Sequence, residues 1–315
     1  KTLGQQTGLD VLVDLGGYAT AMSGPAMAVA IGWALHCPPL VLFSLVTVGY
    51  SSNALGGAGG PLAVLIIAIV AAELGKAVSK ETKIDILVTP LVTIFAGVGL
   101  SMLIAAPIGA AASQVGTLIM WATEQQPFFM GILVSVIVGI VRTLPISSAA
   151  VCAALSPTGL AGGAAVAGCC AQMVGFAVCT YRENKMNGLV SIGLGTSMLL
   201  VPNLMSKPIL WLPPTLAAAV TGPIATCIFN LQMNGSPISS GMGTSGLVGP
   251  IGVVTGWFTP SEAALNAGAS AIAPGAMDWI GLVLICFVLP AALALLFSEI
   301  MRKQGWTKEG DYKLV

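Results

Sequence analysis

Charge is what this sequence has least of. Only 8% of its 315 residues are Asp, Glu, Lys or Arg, against about 25% in an ordinary soluble domain. The 12 basic and 12 acidic residues cancel, so no basic stripe marks a nucleic-acid partner. There is one histidine, His36, and the seven cysteines form no CxxC or Cys/His ligand set. No metal or cofactor is therefore expected, and the cysteines read as small packing residues. P-loop, zinc and serine-elbow motifs are missing too, which argues against a membrane enzyme. The acids Glu73, Asp85, Glu124, Glu262 and Asp278 lie near the ends of apolar runs, so none is an obvious coupling carboxylate of a pump. The N-terminus lacks the basic-then-apolar layout of a cleavable signal. Residues Leu9–Leu15 read instead as a short interfacial helix.

What is present is apolar. Hydrophobic residues make up 56% of the chain and the mean hydropathy is +0.94. The 39 glycines and 19 prolines suit membrane helices, which tolerate both better than soluble ones do. Apolar runs fall at 20–36, 38–50, 60–78, 84–106, 108–122, 128–144, 146–155, 161–181, 187–201, 209–231, 243–258 and 276–298. Those of spanning length predict roughly ten crossings, the shorter ones being re-entrant. The expected class is an all-α polytopic membrane protein, with Trp33, Trp121, Trp211 and Trp279 as interface anchors.

The two halves look alike. AIGWALHCPPLVLFSLV from Ala30 aligns without gaps with IVGIVRTLPISSAAVCA from Ile137, matching Gly32 with Gly139 and Pro38 with Pro145. ALGGAGGPLAVL from Ala54 then pairs with GLAGGAAVAGCC from Gly159, and GVGLSML from Gly97 with GLGTSML from Gly193. Paired repeats with Gly/Pro-broken segments are the sequence mark of secondary transporters, whose sites lie at the repeat interface. The breaks fall at Tyr50–Pro61 and Ser156–Gly163. If each repeat crosses an odd number of times, the halves are inverted. The expected organisation is an interfacial segment at 1–19, repeats at 20–126 and 127–258, and a final helix with its tail at 259–315. Arg302, Lys303 and Lys308 after the last run place the C-terminus in the cytoplasm.

The candidate site is Asn234–Gly252, reading NGSPISSGMGTSGLVGPIG. It is too rich in glycine and hydroxyls for a spanning helix. Such backbone is tolerated at membrane depth only where protein buries it or it lines a cavity. Its GxGTS element occurs twice, at Gly193–Ser197 and Gly241–Ser245, with a degenerate copy at Gly97–Ser101. Glycines let amide groups converge on an anion or hydroxyl, and Thr196, Ser197, Ser240, Thr244 and Ser245 add donor-acceptor groups suited to a polyol or carboxylate. Close helix packing is the competing account of those glycines. Asn53, Asn203 and Asn234 are polar groups beside apolar runs and join the ligand candidates, with Gln172 equally suited to an interhelical bond. Asn230 reads as a helix cap. His36 is a ligand or proton-switch candidate, or a packing residue before a helix break. Arg142 reads as an interfacial anchor first and an anion clamp second.

GCCAQMVGFAV (Gly168–Val178), GTSMLLVPN (Gly195–Asn203), WLPPTLAAAVTGPIATCIF (Trp211–Phe229) and GMGTSGLVGPIG (Gly241–Gly252) together resemble one family. It is the EIIC-type membrane component of the bacterial sugar phosphotransferase system, in the branch related to toxin-gene regulators. The resemblance implies an all-helical, two-repeat transporter of the bacterial cytoplasmic membrane, often a homodimer. Two features depart from the pattern. The chain shows no EIIA or EIIB domain, so phosphotransfer would come from separate partners. GMGTSGLVGP also lacks the glutamate with which better-known relatives hold sugar hydroxyls.

The leading expectation is a carrier for a small polar solute, a sugar or sugar-like acid, working by alternating access. A membrane-embedded sensor that binds solute without moving it is the second, and a channel the third.

Overall fold

Proline and glycine decide where the helices begin and end. The computed structural model describes residue 4, residues 8–123 and residues 125–314, excluding the side chains at 58, 112, 113, 115–121 and 154. Glu124, the Trp121 side chain and most of the first seven residues thus lie outside the described residues. Pro39, Pro61 and Pro127 each stand in the first turn of a helix, where the missing N–H has no intrahelical partner to lose. Helices are the only regular elements among the described residues. Six are long and apolar enough to cross a membrane: Pro39–Gly56, Gly60–Val78, Asp85–Ala111, Gly159–Cys179, Pro208–Ile228 and Ala276–Lys303.

The chain divides into two compact units, residues 1–114 and 115–315. In the first, α1 (Asp10–Ala21) buries none of its residues, as an interfacial helix would. α2 (Ser23–Ala34), α3 (Pro39–Gly56), α4 (Gly60–Val78) and α5 (Asp85–Leu100) follow. Their core is small: Ala28, Val41, Leu45, Val48, Ala63, Ile67, Ala68 and Ala71. The break expected at Tyr50–Pro61 shrinks to Gly57–Gly59, because α3 stays helical to Gly56. The runs expected separately at 84–106 and 108–122 form one rod. α5 passes through a π-turn, Ser101–Ala105, into α6 (Ala106–Thr123). Pro107 lacks an N–H and crowds the preceding turn, and the wider π register relieves that conflict.

The second unit is built on α7 (Pro127–Thr143), α9 (Gly159–Cys179) and α12 (Leu212–Pro223), with α17 (Leu289–Lys303) against them. Gly131 faces Gly222 and Ser135 faces Ala218, while Gln172 faces Thr215 and Gly175 faces Pro214. α7 and α9 therefore both run antiparallel to α12. Between them lies α8 (Ser148–Leu155), only 8 residues long and too short to cross a bilayer.

The run expected at 187–201 is broken rather than spanning. α10 (Tyr181–Val190) gives way to a π-turn at Ser191–Gly195, an extended Thr196 and a 3-10 turn at Ser197–Leu200. α11 (Val201–Ser206) ends it. After a further π-turn at Ile224–Ile228, residues 229–236 are non-helical, with Leu231 and Met233–Gly235 buried. Short α13 (Pro237–Ser240) and α14 (Val248–Phe258) complete that region, followed by α15 (Glu262–Asn266) and α16 (Ala276–Val283).

The C-terminal tail folds back onto this unit. Asn184 Nδ2 donates to the Tyr312 carbonyl (2.7 Å), and its Oδ1 accepts from the Leu314 N–H (2.9 Å). Lys207 pairs with Asp311 at 2.5 Å. Tyr312 is fully buried with its hydroxyl 3.3 Å from the Leu210 carbonyl oxygen, and that burial pushes its phenol well above its ordinary pKa.

Two outcomes test this packing. A Gly→Ala change in an open helix gains up to about 1 kcal/mol. At Gly168 the added Cβ would collide with the Ser135 backbone carbonyl, which cannot swing aside, so Gly168→Ala should cost roughly 1–3 kcal/mol. Gly99→Ala, where the Cβ meets nothing within 4 Å, is the neutral-to-stabilising control in detergent melts. The tail should also be acid-labile. Burial alone would raise the Asp311 carboxyl, but hydrogen bonds from Lys207 and the Lys308 N–H, with two ammonium charges, hold it below its usual value. A depressed carboxyl stabilises the docked tail above the unfolded pKa of about 4 and loses that effect as pH falls through the folded value. Amide exchange across 306–314 should quicken on acidification, and Lys207→Ala should flatten the dependence.

Candidate functional site

The two GxGTS loops, 48 positions apart in the chain, meet in the second unit. Thr244 Oγ1 donates to the Gly193 carbonyl (2.5 Å) and Ser245 Oγ to the Gly195 carbonyl (2.8 Å). The π-turn at Ser191–Gly195 leaves carbonyls outside the α-helical ladder, and the second loop supplies their donors. Thr196 is extended and its Oγ1 accepts from the Met198 N–H (3.2 Å), capping the 3-10 turn that follows. That cap turns the fully buried Ser197 toward α7, where its Oγ lies 2.9 Å from Thr143 Oγ1.

The second loop rests on α9. Gly243 has φ +55°, and a Cβ there would lie 2.7 Å from the Cys169 carbonyl carbon, so both handedness and space require glycine. No acceptor among the described residues bonds the Gly243 or Thr244 N–H. The start of the second loop is tied to α8: Ser148 Oγ donates to the Gly241 carbonyl (2.7 Å). Ser240, fully buried, donates to the Pro237 carbonyl (2.7 Å). Gln172 is fully buried on α9, its Nε2 donating to Thr215 Oγ1 (3.1 Å) while its Oε1 has no partner.

The structure thus brings Thr196, Ser197, Thr244 and Ser245 together where the two loops meet, while Ser240 stays bonded within α13 and Gln172 lies one helical turn from Cys169 on α9. It does not bring the other candidates there. Asn234 Oδ1 accepts from the Gly159 N–H (3.1 Å) and its Nδ2 donates to Gln232 (3.1 Å), holding the start of α9. Asn203 Nδ2 donates to the Asp311 and Lys313 carbonyls of the tail (2.9 and 3.1 Å). Asn53 and His36 belong to the first unit. Asn53 is wedged between Gly24 and Gly60, and His36 is exposed with φ +55° at the α2–α3 break. The degenerate third motif also stays in the first unit, where Ser101 Oγ lies 2.9 Å from Ser52 Oγ and 3.2 Å from Ser51 Oγ.

Sequence reading passed over Thr143 and Ser148, whose only signal was a hydroxyl at a helix end. It also misjudged Arg142. An interfacial anchor would extend to water, but Arg142 is only 6% exposed and its Nε has no hydrogen-bond partner. The open grooves are mainly apolar. One of about 210 Å³ borders Thr244, between Val174, Leu194 and Phe287; another of about 590 Å³ is lined by Met22, Val29 and Trp33. No group of three or more His, Cys, Asp or Glu able to hold a metal occurs among the described residues.

A family model described as "Phosphotransferase system, EIIC" matches residues 1–314. No curated protein and no solved structure matches the chain.

The buried Thr143–Ser197 pair generates a direct test. Thr143→Val or Ser197→Ala strands one hydroxyl in an apolar setting and should each cost about 1–3 kcal/mol. The double variant should cost less than the two added together, with a coupling of about 0.5 kcal/mol or more. Strict additivity in thermal unfolding would show that the two hydroxyls do not bond.

Proposed function

Because the chain belongs to the EIIC family of the phosphotransferase system, and so is a multi-pass membrane component of a transport system, we propose that it carries a small polar solute, a sugar or sugar-like acid, by alternating access. The observation that carries this is the junction of the two GxGTS loops. Non-helical backbone, buried hydroxyls and two unbonded N–H groups meet where helices are interrupted. Broken helices that present backbone groups inside the protein are how secondary carriers hold solute. Thr143, Ser197 and Gln172 are the side chains proposed to face it, with Thr244 and Ser245 holding the loops in place.

Within this reading, any phosphorylation of the solute is assigned to EIIA and EIIB units. Residues 20–126 and 127–258 are proposed to be two inverted repeats, working as a homodimer in the bacterial cytoplasmic membrane with the C-terminus inside. The polar break after α2, the Gly-rich break before α4 and the corresponding breaks before α8 and α9 support the repeat.

Purified protein in proteoliposomes should show saturable uptake of at least one sugar or sugar acid. Thr143→Val and Ser197→Ala should raise the half-saturation concentration by about tenfold, the effect of losing one hydrogen bond of roughly 1.4 kcal/mol. Supplying EIIA and EIIB separates coupled from uncoupled carriage by whether the solute emerges phosphorylated. Stabilisation by solute without flux would replace the carrier with a sensor. Neither flux nor stabilisation would sink the proposal.

A further inference from the structure

The chain has three arginines, and two of them have carboxylates. Arg182 lies 2.7 Å from Glu299, and Arg302 lies 3.5 Å from Glu183. Arg142 is the exception. It is the last-turn residue of α7, 6% exposed, with no ion pair and no hydrogen bond from its buried Nε among the described residues. Its electrostatic neighbour is Cys169, whose thiol donates toward the Val138 carbonyl (3.9 Å) and so supplies no negative charge. A guanidinium cannot shed its proton at any ordinary pH. An isolated buried charge is among the most costly features a protein can carry, and more so inside a membrane.

A second orphan lies on the facing helix. Gln172 Oε1 is buried and accepts nothing, while its Nε2 is fixed on Thr215. Gly139, one turn before Arg142, is packed so closely on Gln172 that an added Cβ would stand 3.0 Å from its Cγ. An unsatisfied cationic donor and an unsatisfied neutral acceptor therefore share the α7–α9 contact, beside the Thr143–Ser197 hydroxyl pair. A neutral sugar would answer the acceptor and leave the cation bare. A hydroxy-carboxylate answers both, its anionic oxygens taking the guanidinium fork and its hydroxyl donating to the amide.

We propose that this polar layer recognises an anionic solute, a hydroxylated organic acid of the sugar-acid kind, with Arg142 as the partner of its negative charge and Gln172 Oε1 as the acceptor of a hydroxyl. The proposal rests on the reading of the second unit as a solute site. Neutrality of the GxGTS loops then has a purpose: the charge needed for recognition comes from α7.

The test uses the full chain in neutral detergent, titrated with D-gluconate and D-glucuronate against D-sorbitol and D-glucose at matched ionic strength, with and without added phosphatidylglycerol. Thermal stabilisation and calorimetric titration are the readouts, followed by uptake in proteoliposomes. The acids should bind at least about tenfold more tightly than their neutral counterparts. Arg142→Gln should erase that preference, while Arg142→Lys, which keeps the charge but not the fork, should retain part of it. Equal binding of acids and neutral counterparts overturns the anionic assignment and leaves the carrier reading standing. Stabilisation by phosphatidylglycerol alone makes Arg142 a lipid-headgroup contact and also overturns it. Absence of any binding or uptake across the panel overturns both. Should Arg142→Gln fail to fold, the wild-type comparison of acids with neutral counterparts still decides.

Discussion

Hydrocarbon offers no hydrogen bonds, so every backbone N–H and C=O at depth must find a partner inside the protein. Most of this chain meets that requirement by being helical. Residues 229–236 cannot, and the architecture of the second unit is the response. The Leu231 N–H bonds the Ala225 carbonyl, the Met233 N–H bonds the Gly159 carbonyl, and the Asn234 carbonyl accepts from Ser261. Glycines on both sides make the passage physically possible. A Cβ at Gly162 would stand 3.0 Å from the Met233 Cβ, and one at Gly256 2.7 Å from the Asn234 carbonyl carbon. SPTGLAGG and GLVGPIGVVTG are thus the two walls around one non-helical segment.

The same requirement assigns the hydroxyls. Interrupting α10 with a π-turn and an extended Thr196 frees the Gly193 and Gly195 carbonyls, and Thr244 and Ser245 complete them. Hydroxyls that a sequence motif offers as ligand contacts are here largely occupied in holding two loops together. In the proposed carrier, ligand contact would fall to groups whose bonding is incomplete, Gln172 Oε1 and Arg142 Nε, and to the Thr143–Ser197 pair. Buried polar groups left half-satisfied are costly to keep, and a solute that completed them would gain what those groups lack.

Several features were legible before any coordinates. Low charge and long apolar runs settled the membrane class, and the density of glycine and hydroxyls in Asn234–Gly252 marked where helix had to fail. Asn230, read as a helix cap, has φ +46° just after a helical segment, because a short amide side chain tolerates the left-handed region. The number of crossings was less legible. Composition cannot distinguish two apolar runs from one rod that passes Pro107 through a π-turn, nor an 8-residue α8 from a spanning helix.

Long-range pairing lay beyond the sequence altogether. Asn203 and Asn234 look alike in one dimension, polar groups at the edge of apolar runs, yet one holds the C-terminal tail and the other the start of α9. Arg142 sits at the end of its run, where an arginine ordinarily reaches water, yet the folded chain buries it. The sequence by itself determined the solvent this protein lives in and the segments that could not be helical, because both follow from local composition. The tertiary structure alone decided which polar groups became satisfied and which stayed bare, because partners separated by tens of residues meet only when the helices pack.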